Sequence, residues 1–151
     1  AGKWYLYEES ARTPLIIFDP RRAGRSAGQA VQPMTLNIDL APTLLDLAGQ
    51  PIPEAMQGRN LTPLLNGGHP SWRDEWFYEH LFNHPLIPKS EGVRTGRWTY
   101  IRWIEQEPVY EELFDLQKDP YQVRNLAGDS RFEKELNNMR ARWERLRSEA
   151  A

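Results

Sequence analysis

The apolar block Leu15-Ile16-Ile17-Phe18 is short, continuous and closed by Asp19-Pro20. Such a run predicts a strand buried on both faces within an α/β sheet. The polar stretch 21–32, with Gly24 and Gly28, reads as an exposed loop. Across residues 38–48 the apolar positions Ile38, Ala41, Leu44, Leu45 and Ala48 recur at helical spacing. Asn37 or Asp39 can cap that helix, Pro42 fits its first turn, and Gly49 with Pro51 ends it. After the connector 50–53, Asn60 can cap a short helix through Leu61, Pro63, Leu64 and Leu65, stopped by Gly67-Gly68.

The pattern then changes from helical to alternating. Residues 76–81 read as a strand, and 92–104 as a hairpin whose Gly96-Arg97 pair fits a glycine-first two-residue turn. Tyr110, Phe114 and Leu116 mark one face of a further strand that ends before Asp119-Pro120. Four strands joined consecutively predict an antiparallel sheet. In the second hairpin arm Trp98 and Tyr100 point one way and Ile101 and Trp103 the other, so both faces need cover. One cover is evident in residues 130–148, where Phe132, Leu136, Met139, Trp143 and Leu146 follow helical steps behind a Ser130/Glu133 capping box. Burying those side chains contributes ~1.5–3 kcal/mol each before entropy is subtracted. The fold class is α/β, with an α+β C-terminal part of four antiparallel strands and a long helix.

Composition narrows the function classes. A length of 151 residues fits one domain or a piece of a larger one, and 26% charged residues beside 40% hydrophobic ones exclude a disordered chain. With 19 Lys and Arg against 21 Asp and Glu, no basic field exists to hold nucleic acid. No apolar run approaches the ~20 residues of a membrane span, so no membrane partner is expected, and residues 1–7 lack the pattern of a signal peptide. Cysteine is absent, which removes disulfides, thiolate nucleophiles and cysteine zinc sites while leaving the compartment open.

Several segments, taken in order, resemble one family. They are Gly2-Lys3-Trp4 through Tyr7-Glu8, the run ending at Asp19, and Asp39-Leu40-Ala41-Pro42-Thr43-Leu44-Leu45-Asp46-Leu47-Ala48-Gly49. Gln57-Gly58, Leu61-Thr62-Pro63-Leu64-Leu65, Gly92-Val93-Arg94-Thr95, Glu112-Leu113-Phe114-Asp115-Leu116, Asp119-Pro120 and Asn125-Leu126-Ala127 follow. Together they resemble the C-terminal portion of arylsulfatase-type enzymes of the alkaline phosphatase superfamily, among them N-acetylglucosamine-6-sulfatases and iduronate-sulfatase-like enzymes. The resemblance implies that residues 1–70 are the edge of a large α/β catalytic domain and 71–151 a smaller sheet-and-helix subdomain.

The same resemblance implies hydrolysis of a sulfate ester, of a sulfated carbohydrate or an aryl sulfate. The nucleophile would be a formylglycine made from Cys or Ser in a Cys/Ser-x-Pro-x-Arg motif, acting over a calcium ion. Neither that motif nor the family's acidic calcium pairs occur in this sequence. An acidic motif is therefore expected within ~15 residues upstream of Gly2-Lys3, and these 151 residues alone are expected to be inactive. Lys3 corresponds to the family's lysine that places a fixed cation against the sulfate oxygens. His80 falls in a region that approaches the rim of the site and contacts the organic part of the substrate. A periplasmic or secreted parent is implied. The alternatives are a phosphonate or phosphate monoester hydrolase of the same superfamily, and a non-enzymatic glycan- or protein-binding module.

Other features have plainer readings. His80 and His84 are four apart, a metal-pair spacing on a helix, but the alternation around them indicates strand and loop, where they diverge. No metal site is assigned to this chain. Asp39 and Asp46 lack further ligands nearby, and Asp39 reads as a cap; Glu8 and Arg12 are spaced for a helical ion pair. Arg21, Arg22 and Arg25 read as a solvated basic loop. Trp98, Trp103 and Trp143 belong to the core, leaving Trp4, Trp72 and Trp76 uncommitted, and Tyr121-Gln122 departs from the family pattern.

Overall fold

In the computed structural model, which describes residues 3–22 and 28–150, the alternating segments pair in sequence order. β1 (Glu75–His80), β2 (Ser90–Thr95), β3 (Trp98–Trp103) and β4 (Tyr110–Asp115) form one antiparallel sheet. The register aligns Phe77, Val93, Tyr100 and Leu113 across the four strands, and beside them Tyr78, Gly92, Ile101 and Glu112. Because side chains alternate along a strand, these two rows face opposite sides.

On the first face lies α4 (Glu133–Ala150), whose Leu136, Met139 and Trp143 are buried with Val93, Tyr100 and Leu113. Ion pairs tie the helix to three strands: Arg140 to Glu111, Arg142 and Arg145 to Glu75, and Arg147 to Glu91, which also accepts from Trp143 Nε1 at 2.9 Å. The start of the helix corrects the expected capping box. A 3₁₀ turn at Ser130–Phe132 comes first, and the Asp129 carboxylate accepts from the Arg131 N–H at 3.1 Å. A carboxylate one residue earlier outcompetes the Ser130 hydroxyl for the exposed amides.

The second face is covered by the N-terminal segment. Leu6 is 1% exposed and packs with Ile101, Trp103 and Phe114, followed by α1 (Glu8–Ala11). Leu6 reaches the sheet because residue 92 is glycine: a Cβ there would stand 2.8 Å from Leu6 Cδ2 and 2.4 Å from the Tyr100 carbonyl oxygen. By contacts, residues 1–15 therefore group with 75–151 in one compact unit, a grouping the sequence pattern does not anticipate. Glu8 does not pair with Arg12 as its spacing suggests. It faces the Arg94 guanidinium at 3.1 and 3.2 Å, since the sheet offers a fixed partner to a helix of one turn.

The β2–β3 turn also differs from expectation. Gly96 has no positive φ; instead Thr95 Oγ1 accepts from the Trp98 N–H at 2.9 Å and the Arg97 N–H at 3.4 Å. The hydroxyl closes the turn as a backbone carbonyl would, so no left-handed residue is needed.

Residues 16–74 form the other compact unit. The strand expected at Leu15–Phe18 is absent there: the segment is irregular, with Ile16 89% and Phe18 84% exposed. A strand needs a neighbouring ladder, and among the described residues none flanks this run. Within the unit, α2 (Leu40–Leu47) is closed by Gly49 at φ +69°, with the Gln50 N–H on the Leu45 carbonyl at 2.9 Å. Asn60 Oδ1 accepts from the Thr62 N–H at 2.9 Å at the start of α3 (Thr62–Leu65).

Asp39 stands at the N-cap position of α2, but its side chain makes no cap bond to that helix. Its fully buried carboxylate accepts from both terminal nitrogens of Arg73 at 2.5 and 2.7 Å and from the Leu36 and Arg59 amides at 2.7 Å each. Burial works against ionisation, but the Arg73 guanidinium and the two amides outweigh it and hold this carboxyl below the usual carboxylate range.

Three outcomes are expected from these contacts. Gly92→Ala displaces Leu6 and lowers stability by about 1–3 kcal/mol in chemical denaturation. Because the folded pKa of Asp39 is depressed, its stabilisation is complete above the unfolded value near pH ~4 and fades as pH falls through the folded value. Amide protection factors, taken against the intrinsic exchange rate at each pH, should thus fall below about pH 4 for the described residues of 28–74, and Asp39→Asn should cost about 3 kcal/mol at neutral pH by stranding buried Arg73.

Candidate functional site

At the end of β1 the strand alternation directs Trp76, Tyr78 and His80 to the face that the N-terminal segment covers. The Tyr78 hydroxyl donates to the Trp4 carbonyl, fixing the backbone next to Lys3. Burial pushes the Tyr78 phenol up to about 12, so it stays a donor at neutral pH. Tyr5 packs its edge on Trp103 at 4.7 Å between ring centres. Two residues further, the Tyr7 hydroxyl and Trp103 Nε1 both donate to Glu112 Oε2, at 2.9 and 3.1 Å. Burial, followed by the bond to Glu112, raises the Tyr7 phenol well above its ordinary value.

His80 sits inside an aromatic enclosure. Its ring meets the edges of Trp4 at 5.6 Å, Phe82 at 6.3 Å and Tyr5 at 6.5 Å. Both ring nitrogens are shielded from solvent and without a hydrogen-bond partner among the described residues. Lys3 is exposed and forms no ion pair among the described residues. Trp4, bonded in sequence to Lys3, packs on His80.

Phe82 and His84 extend this cluster. Phe82 stacks on Trp4 at 5.9 Å and on His84 at 6.0 Å. His84 Nδ1 accepts from the Leu86 N–H at 3.2 Å. Phe82 thus lies against both histidines, and no group of three His, Cys, Asp or Glu is placed to hold a metal ion among the described residues. Sequence reasoning left Trp4 uncommitted and passed over Phe82; the available signal was the density of rings flanking the two histidines.

The remaining candidates are structural. Trp76 packs in the sheet core, and Trp72 Nε1 donates to the Met34 carbonyl at 2.6 Å between the Arg59 and Arg73 guanidinium groups. Arg21 pairs with Asp19 at 2.9 Å; Arg25 and the Arg22 side chain lie outside the described residues. Gln122, where the sequence departs from the family pattern, is buried at φ +53°, and its Oε1 accepts from the Glu8 N–H at 2.6 Å. That departure anchors α1.

The sequence pattern of the N-sulphoglucosamine sulphohydrolase C-terminal family matches residues 2–149. The chain belongs to this family. The N-acetylglucosamine-6-O-sulfatase of Bacteroides thetaiotaomicron is 32% identical over 143 residues, covering 91% of this chain and 25% of that protein. The structure of BT4656 in complex with its substrate D-glucosamine-2-N,6-O-disulfate superposes with a TM-score of 0.66 at 26% identity, covering 73% of this chain and 23% of that one. The phosphonate monoester hydrolase SpPMH from Silicibacter pomeroyi superposes with a TM-score of 0.72 at 33% identity, covering 83% and 27%. The chain spans about a quarter of the length of the curated relatives it matches.

As a sulfatase C-terminal region the chain keeps the expected four-stranded sheet and long helix. Calcium and formylglycine, general to sulfatases, do not fit the residues present: no Cys or Ser begins an x-Pro-x-Arg stretch, and no group of three His, Cys, Asp or Glu converges among the described residues. Lys3 and the ring cluster can offer a cation and flat apolar faces.

The unpartnered nitrogens of His80 make a direct prediction. A buried polar atom without a partner costs about 1–3 kcal/mol. His80→Phe, which keeps the ring packing, should stabilise this chain by about 1 kcal/mol in denaturant unfolding; a loss of similar size would show that the imidazole is bonded in solution.

Proposed function

We propose that the chain is the C-terminal part of an enzyme that hydrolyses a sulfate ester on a carbohydrate. The family match over residues 2–149 carries this reading. The relative named for N-acetylglucosamine-6-O-sulfatase activity and the structural neighbour bound to a disulfated glucosamine support a sulfated sugar as substrate. In this reading residues 1–70 adjoin the catalytic α/β domain and 71–151 form its subdomain. The formylglycine and calcium are supplied by the rest of the enzyme, and the parent is periplasmic or secreted.

The residues of this chain supply position and charge. A sulfuryl group bears negative charge throughout its transfer, so a fixed cation contacting its oxygens lowers the barrier. Lys3 fills that role, exposed and held by the bond from Tyr78 to its neighbour Trp4. His80, one step away through Trp4, faces the organic part of the substrate.

In the complete enzyme Lys3→Ala should lower kcat/KM for a sulfate ester about 10²–10³-fold, with Lys3→Arg recovering part of the loss. Unchanged kinetics would remove Lys3 from the site. The 151 residues alone should release no sulfate from any ester.

A second reading, a phosphonate monoester hydrolase, is favoured by the superposition on SpPMH. Both ester types bring an anionic tetrahedral centre to the same cation. Rates of the complete enzyme on matched aryl sulfate and aryl phosphonate esters separate the two.

A further inference from the structure

We propose that Glu112 is a positioning residue: through Tyr7 and Trp103 it sets the course of the backbone that carries Lys3, and with it the place of the Lys3 cation. The proposal rests on the sulfatase reading for what Lys3 does there.

Glu112 is buried, 9% exposed, on the face of the sheet that the N-terminal segment covers. Its hydrogen-bond partners among the described residues are two neutral donors and no cation: Oε2 accepts from the Tyr7 hydroxyl and from Trp103 Nε1. Desolvating a carboxylate without a cation opposes folding, and a glutamine of the same shape would fill this space at lower cost. What the carboxylate adds is shorter, stronger and directional bonds. The two donors are also joined to each other through rings. Tyr5 packs on Trp103 with 4.7 Å between centroids and 65° between planes, and on Tyr7 at 6.3 Å and 80°. Glu112, Tyr7, Tyr5 and Trp103 thus close a circuit in which one carboxylate oxygen orients two rings and those rings hold a third. Tyr5 stands two residues from Lys3, and the carbonyl of the intervening Trp4 accepts from the Tyr78 hydroxyl.

Packing alone does not set that course. Leu6, 1% exposed against Ile101, Trp103 and Phe114, holds the segment down, but an apolar contact is non-directional. The bonds on either side of it, from Tyr7 to Glu112 and from Tyr78 to the Trp4 carbonyl, fix how the segment is turned about Leu6. A lysine carries its charge on a flexible four-carbon stem, so the ammonium is placed only as well as the backbone beneath it. A misplacement of ~1 Å at a reacting group lowers rates by about 10²-fold. Glu91 supplies the contrast. It is 3% exposed and also accepts from an indole, Trp143 Nε1 at 2.9 Å, but it faces α4 and the Arg147 guanidinium at 3.3 Å rather than the N-terminal segment.

The test is a double-mutant cycle in the complete enzyme, read as kcat/KM on the same sulfate ester as for Lys3→Ala. Glu112→Gln and Tyr7→Phe should each lower kcat/KM about tenfold. In the Lys3→Ala background each should lower it by less than about twofold further, because the group they position is gone. Glu91→Gln, which alters a buried carboxylate–indole bond under the helix, should leave kcat/KM within about twofold of the unsubstituted enzyme. Tyr7→Phe keeps the ring and removes only the hydroxyl, so it carries the test if Glu112→Gln does not fold. Unchanged kcat/KM in the folded variants, the same fold-loss with and without Lys3, or an equal loss in Glu91→Gln would overturn the proposal and leave the role of Lys3 standing. Full activity of Lys3→Ala would overturn that role, and the proposal with it.

Discussion

The missing side chain at Gly92 is the constraint on which the sheet unit depends. It lets Leu6 close onto the second face of the sheet, between the aromatic rings of β1 and the Ile101 side chain. Without that contact the N-terminal segment would have one turn of helix and a few polar bonds to hold it, too little to offset the entropy of ordering ~10 residues. With it, Tyr5, Tyr7 and Trp4 find fixed positions, each with a partner on the sheet: Trp103, Glu112 and His80. The placement of Trp4 against His80 thus follows from packing two residues away, at Leu6.

The two faces of the sheet are held by different physics. Under α4 the apolar contacts of Leu136, Met139 and Trp143 are ringed by arginines that reach carboxylates on three strands. The second face relies on rings and on phenols kept protonated by burial, whose hydroxyls donate inward to Glu112 and to the Trp4 carbonyl. A helix with many exposed charges tolerates substitution along its rim, where ion pairs contribute little singly. The ring-lined face has no such redundancy, and it is the face that carries the candidate site.

Which of these features could be read in the sequence depends on the distance over which they act. The opposite orientations of Trp98 with Tyr100 and of Ile101 with Trp103 were legible because strand alternation is local, and α4 because its apolar steps repeat over four turns. Leu6 was not, because its place on the sheet depends on a glycine 86 positions later. Asp39 looked like a cap because its partner Arg73 lies 34 residues away. Ser130 and Thr95 show competition between neighbours, with Asp129 taking the cap from one and the hydroxyl of the other replacing a glycine turn. Leu15–Phe18 failed for the opposite reason: the pattern of a strand was present, but a strand exists only as one side of a ladder.

The candidate site inherits the same division. Lys3 and His80 came from the resemblance to sulfatases, which fixes residue types at positions but says nothing of what lies between them. The structure adds the intervening ring of Trp4 and the parallel row running to His84. It also shows His80 with its nitrogens enclosed and unpaired, an arrangement that a purely structural histidine would resolve by bonding to a nearby carbonyl or carboxylate. A buried imidazole without a partner is destabilising in the free chain. The enclosed imidazole and the near-parallel rings of Trp4, Phe82 and His84 coincide at the end of one strand, which is why function is argued from that place rather than from the well-satisfied core.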